Sequence, residues 1–459
     1  MGDTYDVAVI GGGTAGYSAA LRAAQLGLRV CLVERDERLG GTCLLRGCIP
    51  TKALLQSAAV MDAVQRSDEW GIKASGEPDW SAVKAFEEAV VDKLVKGVTG
   101  LIAARTIDVV RGRARMETHG PALDVDGTRV EATDVVIATG SAPRLLPGVE
   151  LTDRIITSDQ ALWYDRIPAS AVVIGAGAVG LEFASMYRSF GAEVTVLEAL
   201  ARLAPLEDEA VSKEVARAFR KRGIASVAGA TVQEIADTGE HVRVVHDVGD
   251  GATETIADVC LVATGRGPVT DGLELDAAGV STDAKGYVTV DGELRTSVDH
   301  VWAIGDVAST PLQLAHVAFT EGYAVAERIA GLEVAGIDYT NIPRVTYCSP
   351  EIASVGITES QARERELDIV VETVDFRGIG KANMLGEGGF VKVVAEADGP
   401  VQGVHMIGPH VTDLIAEGML IVNWEAMPAE VAAMMHPHPS LSEGIGEAHL
   451  ALAGKPLHT

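Results

Sequence analysis

Tyr5-Asp6-Val7-Ala8-Val9-Ile10-Gly11-Gly12-Gly13-Thr14-Ala15-Gly16 is the stretch on which the fold of this chain is read. The apolar run Val7 to Ile10 has the character of a buried strand. It runs into Gly11, Gly13 and Gly16, spaced G-x-G-x-x-G, and Ala15 to Leu26 then reads as a helix stopped by Gly27. A second apolar run, Val30 to Val33, closes on Glu34, 23 residues after Gly11. Each residue type has a physical reason. Gly11 permits a tight turn, Gly13 lets the backbone approach a pyrophosphate, and Gly16 lets the helix pack on the strand. The helix start offers N–H groups to phosphate. Glu34 can accept hydrogen bonds from an adenosine ribose.

The same arrangement recurs further along. Val172-Val173-Ile174 reads as a strand, followed by Gly175, Gly177 and Gly180, a helix to about Phe190, and the strand Val194 to Leu197. Glu198 closes it, again 23 residues after the first glycine. A lone glycine pattern is weak, but here each copy has its strand before, its helix after and its acid about 20 residues on. Two copies imply two dinucleotides. A carboxylate favours a free 2′-OH and repels a 2′-phosphate, so Glu198 points the second site to NAD, with Arg202 close by in sequence as the one countervailing charge.

Composition fits a multidomain globular protein. The chain has 459 residues, which suggests about three domains. Hydrophobic residues at 47% and charged residues at 22% exclude bulk disorder. The net charge of −27, with no basic patch, disfavours nucleic acid as a partner and suits a basic protein partner. No stretch reaches the roughly 18 apolar residues of a membrane span, and the N-terminus lacks the blocks of a signal peptide. Gly2 raises acylation, but Asp6 stands where Ser or Thr is wanted. A cytoplasmic protein without membrane attachment is expected. Five cysteines fit a reducing compartment and no disulfide framework.

Between the two glycine units lies Gly40-Gly41-Thr42-Cys43-Leu44-Leu45-Arg46-Gly47-Cys48-Ile49-Pro50-Thr51-Lys52. Cys43 and Cys48 are near enough for a small-loop disulfide if the backbone geometry allows. Cys31, Cys260 and Cys348 lack ligand-like spacing, so no metal site is expected. Cys31 and Cys260 sit in apolar strands and read as core. Pro50 and the run from Lys52 place a helix start near Cys48. That helix start, together with Arg46 as a nearby cation, would favour thiolate. A redox pair and two unrelated loop thiols both stand at this point.

The cysteine segment resembles the redox motif of the flavin-dependent pyridine nucleotide–disulfide oxidoreductases, and most of all the members that oxidise dihydrolipoyl groups. The resemblance runs from about Tyr5 to Leu450. It rests on the two glycine units, the cysteine loop, Ala138-Thr139-Gly140, Ala263-Thr264-Gly265-Arg266, Ala303-Ile304-Gly305-Asp306 and His436-Pro437-His438-Pro439-Ser440-Leu441-Ser442-Glu443. It implies an α/β fold with two Rossmann-like dinucleotide-binding domains, for FAD and NAD, and a C-terminal α+β dimerisation domain. The implied divisions are 1–148 for FAD, 149–270 for NAD, 271–340 completing the FAD site and 341–459 for dimerisation.

By this resemblance Cys43 would exchange with substrate and Cys48 would lie against the flavin. Gly11, Gly13, Gly16, Glu34, Thr42, Lys52, Gly140, Asp306 and Gln313-Leu314-Ala315-His316 would hold FAD. Gly175, Gly177, Gly180, Glu198 and Gly265 would hold NAD. Lys52 and Glu182 would form the pair beside the flavin. His438, followed by proline and five residues later by Glu443, would be the acid–base histidine, whose ring suits working pH. Glu443 would orient it, and the histidine would serve the cysteines of the other subunit of a homodimer. The expected reaction oxidises dihydrolipoyl groups and reduces NAD+. The expected partner is a lipoyl-bearing subunit of a 2-oxo acid dehydrogenase or glycine-cleavage complex. A related NAD(P)H-dependent disulfide reductase, or a flavoprotein with another acceptor, is the alternative. Departures from the commoner pattern are Leu45-Arg46 within the cysteine loop, Pro437 and Ser440 around the histidine, and the position of Pro311.

Overall fold

A computed structural model describes residues 4–118 and 120–458. The outer ends of the first and last expected domains, and Gly2, lie outside the described residues. The chain divides into two compact units. The first comprises Met1–Ala53, Ala82–Arg144 and Gly265–Tyr339, and the second Leu54–Ser81, Leu145–Thr264 and Thr340–Thr459.

In the first unit the opening strand is Tyr5–Ile10, followed by the helix Thr14–Gln25 and the strand Val30–Glu34. The sheet places Asp108–Arg111, Val30–Glu34, Tyr5–Ile10 and Thr128–Ile137 side by side in parallel, with Val301–Ala303 pairing parallel to the last. Two short strands, Ala114–Met116 and Ala122–Val125, extend it antiparallel. The run Val7 to Ile10 is apolar throughout because both sheet faces are covered. Ala8 and Ile10 enter one core with Leu123, Val135 and Val288. Val7 and Val9 enter the other with Tyr17, Ala20 and Val325 of the helices Thr14–Gln25 and Ala315–Ile329. Each buried valine contributes roughly 1.5–3 kcal/mol.

In the second unit five parallel strands run in the order Ile224–Ala228, Glu193–Glu198, Ser170–Ile174, Val259–Val262 and Ile155–Ile156. The helix Ala178–Ser189 follows the second glycine loop. The alternating sequence after Asn341 forms an antiparallel sheet of Arg344–Thr346, Glu351–Gly356, Val401–Gly408, Phe390–Glu396 and Ile369–Asp375. The helices Val411–Asn423 and Glu443–Leu452 pack on it around Phe376, Val404 and Ile445.

Lys392, on the strand Phe390–Glu396, is buried with its Nζ 2.8 Å from Asp208 Oδ1 and 2.7 Å from Glu359 Oε2. Asp208 also caps the helix Glu209–Lys221 through the Ala210 N–H, 2.9 Å away. Burial pushes the Asp208 carboxyl up, but Lys392 and the cap together hold it below its ordinary value. Lys392 and Arg363 do the same for Glu359. Removing one partner of a buried ion pair strands the other charge, so Lys392→Met is expected to cost about 3–5 kcal/mol in urea denaturation at pH 7. The sign with pH follows from the depressed carboxyls. The stabilisation they give is full above their unfolded values near 3.8 and 4.5, and is lost as pH falls below these toward the folded values. Denaturation midpoints from pH 7 to 3 should therefore fall more steeply for the wild type than for Lys392→Met.

Candidate active site

The two glycine loops are built alike, each within its own unit. An added Cβ at Gly16 would lie 1.7 Å from the Gly11 carbonyl oxygen, and one at Gly180 would lie 1.9 Å from that of Gly175. Only glycine lets the helix come this close to the loop. Gly13 and Gly177 differ. Each precedes its helix in extended conformation, with φ of −76° and no side-chain cap. A Cβ at Gly13 would meet nothing nearer than Gly41 Cα at 3.6 Å, and at Gly177 nothing within 4 Å. No packing within the chain demands glycine there, whereas close approach of a pyrophosphate to the helix start does.

The acids match as well. Glu34 Oε2 accepts from the Gly12 N–H at 2.7 Å and its Oε1 from the Asp36 N–H at 2.8 Å. Glu198 Oε2 accepts from Ala176 at 2.6 Å and its Oε1 from Leu200 at 2.8 Å. Two amides fix each carboxylate, and its remaining lone pairs can accept from a ribose. Arg202, the one charge that argued for a 2′-phosphate, donates to the carbonyls of Pro205 and Glu207 and pairs with Glu209 at 3.3 Å. Both cradles therefore fit a dinucleotide. Gly177→Ala is expected to weaken NAD+ binding about tenfold or more, roughly 1.4 kcal/mol, with an unchanged melting temperature. Calorimetric titration and a thermal melt measure the two.

Cys43 lies in the short helix Gly41–Arg46, and Cys48 opens the helix Cys48–Gln65. Both are partly buried and hydrogen-bonded to each other, near enough to form and break a disulfide. The bond from Cys48 and burial push the Cys43 thiol up, while Thr14 and the Lys52 ammonium act the other way. Lys52, one turn after Cys48, is thus the cation that acts on this thiol. Arg46, expected from the sequence to do so, is instead ion-paired with Asp36, whose N–H supports Glu34. Tyr17 is buried beside the pair, and the thiols and burial raise its hydroxyl. Cys31 and Cys260 are core residues, and burial pushes both thiols up to about 12.

Asp306 follows the strand Val301–Ala303 and is held by residues the sequence did not single out. Its Oδ2 accepts from Ser141 Oγ at 2.6 Å. Arg266 Nε donates to that hydroxyl at 2.7 Å, and Arg266 Nη2 to the Ser141 carbonyl at 2.7 Å and to Thr42 Oγ1 at 3.3 Å. This brings Thr42, Asp306 and the Gly140 turn to one place. Glu321, fully buried, accepts from the Gly305 N–H at 2.6 Å and from Tyr339 Oη at 2.8 Å, which anchors the backbone before Asp306. Burial raises the Glu321 carboxyl. Ser141 adjoins one quoted motif and Arg266 closes another, whereas Glu321 has no local signal. Leu314 is extended and caps the helix Ala315–Ile329, with Gln313 and His316 exposed at its start. Gly265 falls in this same unit, where its carbonyl accepts from the Arg144 N–H.

The second unit holds Glu182 and the histidine segment. Glu182 is buried on the helix Ala178–Ser189, and its Oε1 accepts from the Tyr347 N–H at 2.9 Å. His438 is exposed, with Nδ1 2.7 Å from Glu443 Oε1, while Glu443 Oε2 accepts from the Ser440 N–H at 2.8 Å. Burial opposes ionisation of Glu443, but Ser440 and His438 hold its carboxyl below the ordinary value. A carboxylate that takes Nδ1–H leaves Nε2 as the basic nitrogen. His436 pairs separately with Glu417, Nε2 to Oε1 at 2.7 Å.

Comparison with known proteins identifies the family. Residues 5–322 match the family described as "Pyridine nucleotide-disulphide oxidoreductase", and residues 342–449 its dimerisation domain. The chain is 43% identical to a dihydrolipoyl dehydrogenase of Bacillus subtilis, covering 100% of both chains, and 39% identical to one of Mycobacterium leprae over 98% of each. Among solved structures it is similar to LpdA from Mycobacterium tuberculosis, with a TM-score of 0.89 and 28% identity over 97% of this chain and 99% of that one. It is also similar to the HOCl-induced flavoprotein disulfide reductase RclA from Escherichia coli, with a TM-score of 0.87 and 28% identity over the same shares.

Proposed function

This chain belongs to the pyridine nucleotide-disulphide oxidoreductases, and from that premise we infer that it oxidises dihydrolipoyl groups to lipoyl groups while reducing NAD+ to NADH, with FAD as its flavin. The observation that carries the reading is the hydrogen-bonded thiol pair Cys43 and Cys48 in the unit that carries the first dinucleotide cradle. The family's dimerisation domain makes the protein a homodimer.

In this reading Gly11, Gly13, Gly16, Glu34, Thr42, Lys52, Gly140, Asp306 and the segment Gln313 to His316 hold FAD, and Ser141 and Arg266 orient Asp306. Gly175, Gly177, Gly180, Glu198 and Gly265 hold NAD. When bound, FAD supplies a two-electron carrier between the dithiol and NAD+. His438 removes a proton from one substrate thiol, and that thiolate attacks Cys43 of the Cys43–Cys48 disulfide. The disulfide breaks, and Cys48 leaves as thiolate. The second substrate thiolate attacks the mixed disulfide, closes the lipoyl ring and releases Cys43. Two electrons and two protons have then passed to the protein. Return of the electron pair to NAD+ re-forms the disulfide. Glu443 holds the imidazole and stabilises its charged form. Lys52 and Glu182 serve the flavin side, and His438 serves the dithiol of the second copy, so the dimer is required for activity.

The physiological donor in this reading is a lipoyl-bearing subunit of a 2-oxo acid dehydrogenase or glycine-cleavage complex. The net charge of −27 suits a basic docking segment on it. No helix among the described residues is long and apolar enough to cross a membrane. The setting of this reading is the cytoplasm, consistent with five cysteines that form no disulfide framework in the sequence.

A steady-state assay of purified holoenzyme tests the function. Dihydrolipoamide with NAD+ should give rapid turnover, and NADP+ at least about tenfold less kcat/KM because Glu198 repels a 2′-phosphate. Bound flavin without dihydrolipoamide oxidation, but with reduction of another disulfide, would favour the disulfide-reductase alternative.

A further inference from the structure

The buried helix Ala178–Ser189 carries Glu182, Ser185 and Ser189 at spacings that share one face. The segment joining the strands Arg344–Thr346 and Glu351–Gly356 is laid along that face. Tyr347 N–H donates to Glu182 Oε1 at 2.9 Å, and Ser349 N–H donates to Ser185 Oγ at 2.9 Å. Between them Cys348 is buried, with its Sγ 3.1 Å from the Pro350 carbonyl.

A single guanidinium closes this arrangement. Arg222 stands at the end of the helix Glu209–Lys221. Its Nη1 donates to Ser185 Oγ at 2.6 Å and to the Ser349 carbonyl at 3.0 Å. Its Nη2 donates to Ser189 Oγ at 2.7 Å and to Asp62 Oδ2 at 2.9 Å. The ion pair with Asp62 is largely shielded, the two side chains being 19% and 24% exposed. A planar fork with fixed donors can bind these acceptors at once, which a lysine cannot. The segment that hands its amide to Glu182 is therefore tied to Arg222 directly, through the Ser349 carbonyl, and indirectly, through the Ser185 hydroxyl that Arg222 and Ser349 share.

We propose that Arg222 is a positioning residue of the NAD+ step: by clamping residues 347–349 against Ser185 it fixes the Tyr347 amide that orients the Glu182 carboxylate. This rests on the reading that Glu182 serves the flavin–nicotinamide side of the reaction. Arg222 meets the helix Cys48–Gln65 at Asp62, toward the end away from Cys48, so exchange at the thiols is expected to proceed without it.

Rapid-mixing measurements on holoenzyme separate the two half-reactions. In Arg222→Met, reduction by dihydrolipoamide should stay at the wild-type rate. Reoxidation of the reduced enzyme by NAD+ should slow about tenfold, the scale of a small misplacement at a reacting centre. Arg222→Lys, which keeps the charge but not the fork, should recover part of the loss. Hydrogen exchange at the Tyr347 and Ser349 amides should accelerate in Arg222→Met. If that variant does not fold, Ser185→Ala removes the hydroxyl shared by Arg222 and Ser349 and should shift the NAD+ step and the exchange in the same direction. Equal slowing of both half-reactions, or wild-type reoxidation, overturns the proposal. Glu182→Gln separates the two ideas. A slow NAD+ step in Glu182→Gln beside a normal one in Arg222→Met overturns the clamp alone. A normal step in Glu182→Gln overturns the reading of Glu182 and the clamp's role with it.

Discussion

A Cys48→Ser holoenzyme is expected to keep its FAD and to lose NAD+ reduction by dihydrolipoamide by a factor on the order of 10³ or more. Serine cannot form the disulfide that receives the substrate's electrons, so the route itself is removed and not merely slowed. Flavin retention is expected because the cradle is built elsewhere. Glu34 is fixed by the Gly12 and Asp36 amides, and Asp306 by Ser141. Absorbance of the purified variant and its steady-state rate measure both halves of this result. More than about a tenth of wild-type activity in the variant would mean that electrons reach NAD+ by another path.

The second large effect falls on His438. His438→Gln is expected to lower kcat/KM for dihydrolipoamide by about 10²–10⁴. A base is needed because a substrate thiol, with an ordinary pKa near about 8.5, is mostly protonated at neutral pH. Glu443, 2.7 Å from Nδ1, keeps the ring oriented and stabilises the imidazolium that forms. The active form of the base is neutral, so wild-type activity should show an acid limb. In the variant that acid limb should vanish. Its rate should climb steadily toward high pH, as the substrate thiolate forms without help. A variant that keeps the wild-type pH profile would move the proton-transfer role away from His438.

Much of this molecule is legible in its sequence because the deciding features are local. The strand, glycine loop, helix and acid of each cradle lie within about 30 residues, a span over which spacing carries geometry. Gly13 and Gly177 announce a ligand because nothing else explains them. The thiol pair is legible for the same reason, since only four residues separate the cysteines and a helix starts at the second. What escaped is tertiary. Ser141 meets Asp306 across 165 residues, and Arg266 meets Ser141 across 125. Arg222 reaches Asp62 across 160, and Lys392 reaches Asp208 across 184. These are common polar residues whose meaning comes only from their neighbours. Arg46 misled for a related reason. Adjacency in sequence put its charge between the thiols, but the last turn of a short helix carries it to Asp36 instead.

The central claim is that electrons from a dihydrolipoyl group pass through Cys43 and Cys48 on their way to NAD+. Thiol counting on the holoenzyme tests it most directly. Oxidised enzyme is mixed with one equivalent of dihydrolipoamide without NAD+, alkylated, and mapped by mass spectrometry, alongside a sample to which NAD+ is then added. The account predicts two newly alkylated cysteines, Cys43 and Cys48, in the first sample and their return to the unreactive disulfide in the second. Alkylation elsewhere, or a dithiol that persists after NAD+ is added, would contradict it.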